Sequence, residues 1–474
     1  MKRPLIALAP LLLSSCAAIA AYDAGHAPSS SATTAPAAAT SARVAVAAPA
    51  TARPARPIAP LPKRTPSRDV LLRLHGSNTI GSELAPRLAE AFLLSLGAGN
   101  VHIGEADASH RIWITGELGP RRVAIEVWAP GSKVGFSSLS AGRCDIALAS
   151  RAIEPAEERA PTAEHILALD GVAVIVHRSN PLGSLTLRQV AGIFSGAITD
   201  WAQVDGTPGP IQIYARDKKS GTYDTFLQAV MRGREIHWMG AGAYEDSTAL
   251  AQAVAGDVRG IGFVGLPYAR DARAIALTDG DALPLYPTVF TVATEDYPLA
   301  RRLRLYTAVQ PKNPMVARFV ALARSDAGQR LVEASGFVPL TVRAQAYRAP
   351  REAPRRYLEA TRGAERLSVN FRFKRGSAQL DGKARQDIDG IVKFVSAAAP
   401  GGRRMMLFGF ADKSGKEAVN RALSKQRAGA VATELREHGV VLDAVDGFGS
   451  ALPLAGDDGD DARERNRRVE VWVH

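Results

Sequence analysis

Apolar runs of two kinds alternate along the chain from Val70 to about residue 347. Short runs rich in Val, Ile and Leu are typical of strands, and segments with helical spacing follow them, as in VLLRLHG then SELAPRLAEAFLLSL, and VAVIVH then LRQVAGIFSG. Strand and helix patterns in regular alternation predict an α/β architecture with largely parallel sheets.

A second, smaller pattern begins after the Pro/Arg-rich passage RAPREAPRRYLEATRGAE. It comprises the strand LSVNFRF, a helix with Ile388, Ile391 and Val395 on one face, the strand RMMLFGFA, a helix over 420–437 and the final strand RRVEVWVH. This β-α-β-α-β order with one extra short connection predicts a separate small domain of α/β or α+β type, with the arrangement βαβαββ.

The N-terminal segment is predicted to direct secretion. Its two basic residues precede an apolar run of about ten residues, too short to cross a bilayer, which requires roughly 20. LSSC resembles a bacterial lipobox, which would make Cys16 the lipidated first residue, and the following alanine favours sorting to the outer membrane. Ordinary cleavage after AIA, which would release a soluble protein, is the alternative.

Residues 16–68, rich in Ala, Pro, Thr and Ser, are predicted to be a disordered tether.

The length of the chain indicates how many domains it holds, and its charge distribution disfavours one class of partner. A chain of 474 residues is expected to hold two folded domains with linkers. The net charge of +12 is dispersed over Pro/Arg-rich runs without aromatic residues or zinc-finger spacing, which argues against a nucleic-acid partner. Cys144, in the apolar run RCDIALAS, is interpreted as a small buried hydrophobe rather than a reactive thiol.

The sequence has one misleading motif and no convincing catalytic one. GIGFVG at 260–265 matches the dinucleotide motif G-x-G-x-x-G, which functions only between a strand and the start of a helix. Here the helical segment STALAQAVAGD precedes the glycines, so GIGFVG is predicted to be a strand and not a dinucleotide site. There is no G-x-S-x-G elbow and no H-E-x-x-H motif. We therefore expect no enzyme activity, no metal and no cofactor.

Three turns rich in glycine and hydroxyl residues follow predicted strands. They are HGSNTIGSELAP, APGSKVGFSSL and ARDKKSGTYDTF. Each places free backbone N–H groups and hydroxyls at a helix N-terminus, an arrangement suited to an anion. One such turn alone is a helix cap, but three on parallel strands are expected to converge at the carboxyl edge of the sheet.

The segment 69–348 resembles the PstS-like phosphate-binding proteins of ABC transporters, which are type II periplasmic binding proteins. GSNTIG, PGSKVGFSSLSAGRCDIALASR and GPIQIYARDKKSGTYDTFL carry the resemblance. It implies two hinged lobes that close over an oxyanion. The residues it assigns to that anion are Thr79, Ile80, Ser132, Ser150, Arg151, Arg216, Ser220, Gly221 and Thr222.

Arg151 departs from the best-known phosphate binders of this family. They have an aspartate at this position, and its carboxylate accepts the proton of phosphate, which sulfate lacks. Other members of the family also have Ser-Arg here. The resemblance therefore leaves the choice between phosphate and another oxyanion open.

Residues 366–474 resemble the OmpA-like peptidoglycan-binding domain through GFADKSG, NRALSKQRA and RERNRRVEVW. The resemblance implies that Asp412 and Arg427 hold the diaminopimelate of the stem peptide. Asn420, Leu423, Asn466 and Arg467 fall in the supporting motifs. On the residues alone, Arg427 shares a helical stripe with Leu423, Val431 and Leu435. The alternative to ligand binding is an internal Asp412–Arg427 salt bridge that serves stability alone.

Together these features predict a binding protein of a Gram-negative envelope with five segments. They are a signal peptide at 1–15, a tether at 16–68, the solute-binding domain at 69–348, a linker at 349–365 and the peptidoglycan-binding domain at 366–474. The expected location is the periplasmic face of the outer membrane, with a soluble periplasmic form as the alternative. An ABC permease partner stays open, and a scaffold whose cleft holds no small ligand is the second hypothesis.

Overall fold

The computed structural model describes residues 69–109, 111–218, 220–237, 243–397, 403–456 and 459–474. They belong to one unit that extends from Thr65 to His474. The predicted signal peptide, the tether and Cys16 lie outside the described residues. No helix in the described part is both long and apolar enough to cross a membrane.

The first lobe is a five-stranded sheet segment with helices packed on it. β1 pairs in parallel with β4 and with β5, and its Leu72 and Leu74 are buried together with Leu88 and Phe92 of α2. The elements are β1 (Asp69–Gly76), α1 (Asn78–Gly81), α2 (Leu84–Ser95), β2 (Gly99–Ile103), β3 (Arg111–Leu118), β4 (Arg121–Trp128), α3 (Ser132–Ser140) and β5 (Ile146–Ala149).

The second lobe follows after one long strand. Its central strand, the Gly-rich segment 260–265, is fully buried, which confirms that GIGFVG forms a strand. The elements are β6 (Thr162–Val176), β7 (Ser184–Thr186), α4 (Leu187–Phe194), β8 (Gln212–Arg216), α5 (Gly221–Phe226), β9 (Ala243–Tyr244), α6 (Ser247–Gly256), β10 (Gly260–Gly265), β11 (Arg273–Ala274), β12 (Ala276–Thr278) and α7 (Val289–Ala293).

The chain returns to the first lobe through β13 (Ala300–Ala308), α8 (Met315–Arg324) and α9 (Asp326–Ala334). β13 pairs antiparallel with β6 over its whole length, so these two strands join the lobes in one sheet with the order β2-β3-β4-β1-β5-β13-β6-β10-β8-β9. The α/β class is confirmed. The expectation of largely parallel sheets is wrong, because β2, β3 and β4 at one edge and β5, β13, β6 and β10 at the centre pair antiparallel.

The C-terminal domain has a five-stranded sheet with the order β14-β15-β18-β16-β17. Helices α11 and α12 cover one face, where Ile391, Val431 and Leu435 are fully buried. The elements are β14 (Ala344–Ala346), α10 (Arg355–Ala360), β15 (Glu365–Arg372), α11 (Gly382–Ser396), β16 (Met405–Gly409), α12 (Glu417–Glu437), β17 (Leu442–Gly447), α13 (Asp460–Asn466) and β18 (Arg468–Val473).

The segment 349–365, predicted to be a linker, contains α10 and packs on the other face of this sheet. Tyr357 of α10 is buried among Phe408, Phe410 and Trp472, and its hydroxyl donates to Glu470 at 2.6 Å. The C-terminal domain also contacts the second lobe through β15, where Arg366 donates a hydrogen bond to Asp296. The chain between the two domains is therefore part of a packed core.

Candidate functional sites

Gly221, the first residue of α5, marks the point where loops of the two lobes meet. A Cβ at this position would lie 2.6 Å from Oγ1 of Thr79, 3.0 Å from Oγ of Ser150 and 3.7 Å from Oγ of Ser77. A contact below 3.0 Å is closer than a side-chain carbon tolerates, so the absence of a side chain at Gly221 lets three hydroxyls of the first lobe approach the second.

A cavity of about 160 Å³ lies beside this contact. Four of the predicted oxyanion residues line it, namely Thr79, Arg216, Ser220 and Thr222. Ser220 also caps α5, because its Oγ accepts a hydrogen bond from the Thr222 amide at 3.2 Å. The structure thus brings residues of the first and third predicted turns to one small polar space.

Arg216 is held firmly at the wall of this cavity. Its Nε donates to the Tyr244 carbonyl at 3.1 Å, its Nη2 to the Glu245 carbonyl at 2.7 Å, and its Nη1 to the Ser247 hydroxyl. A guanidinium has five N–H donors, so two have no hydrogen-bond partner among the described residues, although Nη2 also lies 3.9 Å from Asp217 Oδ2 in a longer ion pair. Burial lowers the pKa of Arg216 from its ordinary value, which is far above neutrality, so the side chain stays charged.

The other predicted residues of the oxyanion set lie close by but outside the lining of the 160 Å³ cavity. Ser132, the first residue of α3, accepts a hydrogen bond from the Ser150 amide at 3.2 Å, and the two hydroxyl oxygens are 3.5 Å apart. Ile80 is in α1 and its side chain is fully buried in the first lobe. The second predicted turn therefore joins the site through Ser150, which reaches Gly221.

Arg151 faces away from this cavity. Its guanidinium forms two hydrogen bonds of 2.6 Å with Glu157 and lies 5.1 Å from the centre of the Phe136 ring. The hydrogen bonds to Glu157 raise the pKa of Arg151 above its usual value. Arg151 lines a different cavity of about 400 Å³, next to the C-terminal domain, and Glu157 balances its charge.

Two site residues escaped the sequence analysis. Asp170 and Arg301 face each other on β6 and β13, and the carboxylate Oδ2 accepts from Arg301 Nε at 2.9 Å and from Nη2 at 2.6 Å. Arg301 Nη2 also lies 3.4 Å from the Thr79 hydroxyl and 3.3 Å from the Thr222 hydroxyl. A lone aspartate in the apolar run ILALDGVAVIV was the available signal.

In the C-terminal domain, Asp412 lies just beyond the end of β16 and is held by its neighbours. Its Oδ1 accepts from the Ser414 amide at 2.9 Å, its Oδ2 from Arg467 Nη1 at 3.2 Å, and its carbonyl from Asn420 Nδ2 at 3.1 Å. Burial opposes ionisation, but the hydrogen bonds from Ser414 and Arg467 hold the pKa of Asp412 below its usual value. The side chain is therefore a carboxylate at neutral pH.

Arg427 is fully buried on α12, on the face predicted from its spacing. Its Nε donates to the Ser377 carbonyl at 3.0 Å and its Nη2 to the Lys374 carbonyl at 3.3 Å, while Nη1 has no hydrogen-bond partner in the part of the chain that the structure describes. Burial, together with the charge of Arg467, lowers the pKa of Arg427 to about 10. Arg427 thus stays charged at neutral pH.

The internal Asp412–Arg427 salt bridge considered from the sequence is not formed among the described side chains. Asp412 pairs with Arg467 instead. Arg467 is fixed by the Phe373 carbonyl at 2.9 Å, and Asn466 holds the backbone of Leu454 and Ala455. Leu423 is half-buried on α12, one turn before Arg427.

Cys144 and a possible metal centre are the remaining features to locate in this fold. Burial raises the pKa of the Cys144 thiol to about 12, as expected for a structural cysteine. Within the described ranges, no three His, Cys, Asp or Glu side chains form a group that could hold a metal ion.

Comparison with known proteins identifies both parts of the chain. Residues 122–327 match the family described as PBP superfamily domain, and residues 372–467 match the OmpA family. Protein SphX of Synechococcus elongatus is 33% identical over 242 residues, which cover 47% of this chain and 71% of that protein. The phosphate-binding protein PstS of Pseudomonas aeruginosa is 28% identical over 243 residues, covering 46% and 75%.

Solved structures show similarity in both regions. The crystal structure of an ABC-type phosphate transport receptor from Vibrio cholerae aligns with 56% of this chain and 99% of that chain, at a TM-score of 0.47 and 23% identity. The peptidoglycan-associated lipoprotein from Burkholderia pseudomallei aligns with 22% of this chain and 89% of that chain, at a TM-score of 0.21 and 20% identity.

Proposed function

Because this chain belongs to the PBP superfamily, with PstS and SphX among its relatives, and carries a C-terminal domain of the OmpA family, we propose that it is a binding protein of the cell envelope. Its first domain binds phosphate or a related oxyanion between two lobes. Its C-terminal domain binds peptidoglycan and fixes the protein to the cell wall. Neither role requires a catalytic step.

The observation that supports oxyanion binding is the chemistry of the 160 Å³ cavity. Thr79, Ser220 and Thr222 bring hydroxyl groups to it, and Arg216 brings a guanidinium with two N–H groups that have no hydrogen-bond partner among the described residues. A planar fork of donors grips two oxygens of a tetrahedral anion, and hydroxyls can bond the others. Loops from both lobes contribute, so an anion bound here would hold the lobes together.

Isothermal titration calorimetry of the purified full-length chain with phosphate, sulfate and phosphorylated small molecules tests this proposal. We expect heat of binding with at least one of these anions and 1:1 stoichiometry. Absence of binding to all of them would reject the oxyanion site and favour the alternative, an envelope scaffold whose cleft serves a protein or glycan partner.

The support for peptidoglycan binding is a separated pair of opposite charges. Asp412 is a carboxylate held by Arg467 and Ser414, and Arg427 is a buried cation with one unpartnered nitrogen. Diaminopimelate carries an ammonium and a carboxylate on one carbon, so it can bond Asp412 and Arg427 at the same time. A buried donor without a partner is costly, and the carboxylate of the ligand would supply that partner.

Co-sedimentation with purified murein sacculi tests the wall-binding role. We expect the protein to pellet with sacculi that contain diaminopimelate. Sacculi with lysine at the same position offer no matching carboxylate and should retain much less protein. Equal retention by the two kinds of sacculi would argue against recognition of diaminopimelate by Arg427.

We further propose that Cys16 is acylated and that the protein faces the periplasm from the outer membrane. The lipobox-like LSSC and the following alanine support this placement. Metabolic labelling with a palmitate analogue should mark the wild type and not Cys16→Ser. Unlabelled wild type would favour ordinary cleavage and a soluble periplasmic protein. This arrangement does not require an ABC permease as a partner.

A further inference from the structure

Asp170 is a buried carboxylate in the proposed anion cavity. It is 1% exposed and lies on β6 at the crossing between the two lobes, opposite Arg301. Together with Thr79, Arg216 and Thr222 it lines the cavity of about 160 Å³. A negative charge in the lining of an anion site calls for a physical reason.

The two oxygens of the Asp170 carboxylate differ in their hydrogen bonding. Oδ2 accepts two hydrogen bonds from Arg301, at 2.9 and 2.6 Å. Oδ1 is buried and receives no hydrogen bond from any residue that the structure describes. An ionised carboxylate can only accept, and a buried acceptor without a donor is unfavourable. Oδ1 is therefore available to a donor that enters the cavity.

The hydroxyls and the guanidinium of Arg216 in the lining can donate, whereas Oδ1 of Asp170 can only accept. Two further carboxylates in the lining, Glu245 and Asp246, belong to exposed residues, so Asp170 is the buried acceptor among the described lining residues. An anion that satisfies the hydroxyls, Arg216 and Oδ1 must accept several hydrogen bonds and donate one. Phosphate at neutral pH keeps one or two protons and meets this requirement. Sulfate is fully deprotonated, so it would leave Oδ1 unpaired and facing another negative charge.

We propose that Asp170 determines the anion specificity of this site by accepting the P–OH hydrogen of a protonated phosphate at Oδ1. This inference rests on the proposed oxyanion function. Asp170 supplies the hydrogen-bond acceptor that Arg151 cannot provide, since Arg151 is paired with Glu157 and lines a different cavity. Arg301 is the positioning residue, because its two hydrogen bonds direct Oδ2 toward itself and leave Oδ1 for the ligand.

The variant Asp170→Asn tests the acceptor specifically. The donors of Arg301 will keep the amide oxygen on their side, so the NH₂ group must turn toward the cavity. The variant thus exchanges an acceptor for a donor at the same place with almost the same shape. By calorimetry we expect phosphate affinity to fall by about tenfold or more and sulfate affinity to rise. The ratio of the sulfate and phosphate Kd values should fall by about 100-fold, since sites that need a specific hydrogen bond discriminate strongly.

Asp224→Asn is the matched control. It removes one carboxylate from α5, close to the site but outside the cavity lining, and should leave the ratio unchanged. Circular dichroism and thermal unfolding of both variants verify the fold. The wild type provides a measurement that does not depend on any variant, because the inference requires it to bind phosphate at least about tenfold more tightly than sulfate.

The outcomes separate this inference from the function on which it rests. A wild type that binds neither phosphate nor sulfate would overturn the proposed function and this inference with it. A wild type that binds phosphate without preference over sulfate, or a folded Asp170→Asn with unchanged selectivity, would overturn the role of Asp170 and leave the oxyanion site in place.

Discussion

Arg366 of β15 donates a hydrogen bond of 2.9 Å to Asp296, which connects the C-terminal domain to the second lobe. The two side chains are 1% and 4% exposed. The other oxygen of Asp296 accepts from Asn370 at 2.7 Å and from Arg372 at 3.0 Å. The C-terminal domain and the second lobe therefore share a buried ionic contact.

Asp296→Ala should destabilise the protein strongly. The substitution leaves Arg366 and Arg372 buried without their shared carboxylate, and removal of one partner of a buried ion pair costs about 3–5 kcal/mol. Urea unfolding followed by tryptophan fluorescence measures the loss. Asp326→Ala is the matched control, because its ion pair with Lys393 also joins the two domains but is exposed, so we expect little change. Equal effects of the two substitutions would contradict the importance of the buried contact.

Arg216→Ala should weaken phosphate binding by more than about tenfold, the effect expected when a charge-assisted hydrogen bond to an anion is lost. Calorimetry on the folded variant measures it. The control is Arg259→Ala, which removes an exposed arginine of the same lobe outside the cavity. An Arg216→Ala variant that binds phosphate like the wild type would show that the guanidinium does not contact the anion.

Asp412→Ala and Arg427→Ala should each abolish sedimentation with murein sacculi. The first removes the acceptor for the ammonium of diaminopimelate, and the second removes the donor for its carboxylate. Lys425→Ala, at an exposed position of the same helix, should still pellet with the sacculi. Retention of both site variants at the wild-type level would place wall binding elsewhere on the domain.

Asp387 predicts a pH dependence of stability. It is buried beside Lys383, whose Nζ is 2.7 Å away, and burial raises the pKa of Asp387 from 3.8 to about 6. Because the folded-state pKa is the higher one, the folded protein holds the proton more tightly. The resulting stabilisation is complete below about pH 4 and is lost as the pH rises through about 6.

The free energy of unfolding of the wild type, relative to Asp387→Asn, should therefore fall by up to about 3 kcal/mol between about pH 4 and 7 and then stay constant. Urea unfolding of both proteins across this range measures the difference. A difference that grows with pH would show that pairing with Lys383 outweighs burial.

Several features of both domains could be predicted from local patterns. The spacing of Leu423, Arg427, Val431 and Leu435 predicted a helix with an inward arginine, and α12 buries Arg427 completely. The order of helix and strand around 260–265 excluded a dinucleotide site, and this segment is a buried strand. Such predictions succeed because apolar positions repeat every 3.6 residues in a helix and every 2 residues in a strand, and both periods involve residues that are close in sequence.

The partners of charged residues could not be predicted in the same way. Asp412 pairs with Arg467 rather than Arg427, and Arg151 pairs with Glu157 rather than facing the cavity of about 160 Å³. These pairs depend on loop paths and side-chain directions, which local periodicity does not encode. The same holds for Arg366 and Asp296, which are 70 positions apart.

The sequence by itself determined the two domains, their α/β class and the loops that bear hydroxyl groups, because these follow from local hydrophobic order and turn chemistry. Only the tertiary structure decided that Asp170 joins those loops. The antiparallel pairing of β6 with β13 brings Arg301 opposite Asp170 and leaves one carboxylate oxygen unpaired in the cavity. A strand register between distant segments is a property of the folded sheet, and the anion preference we propose depends on it.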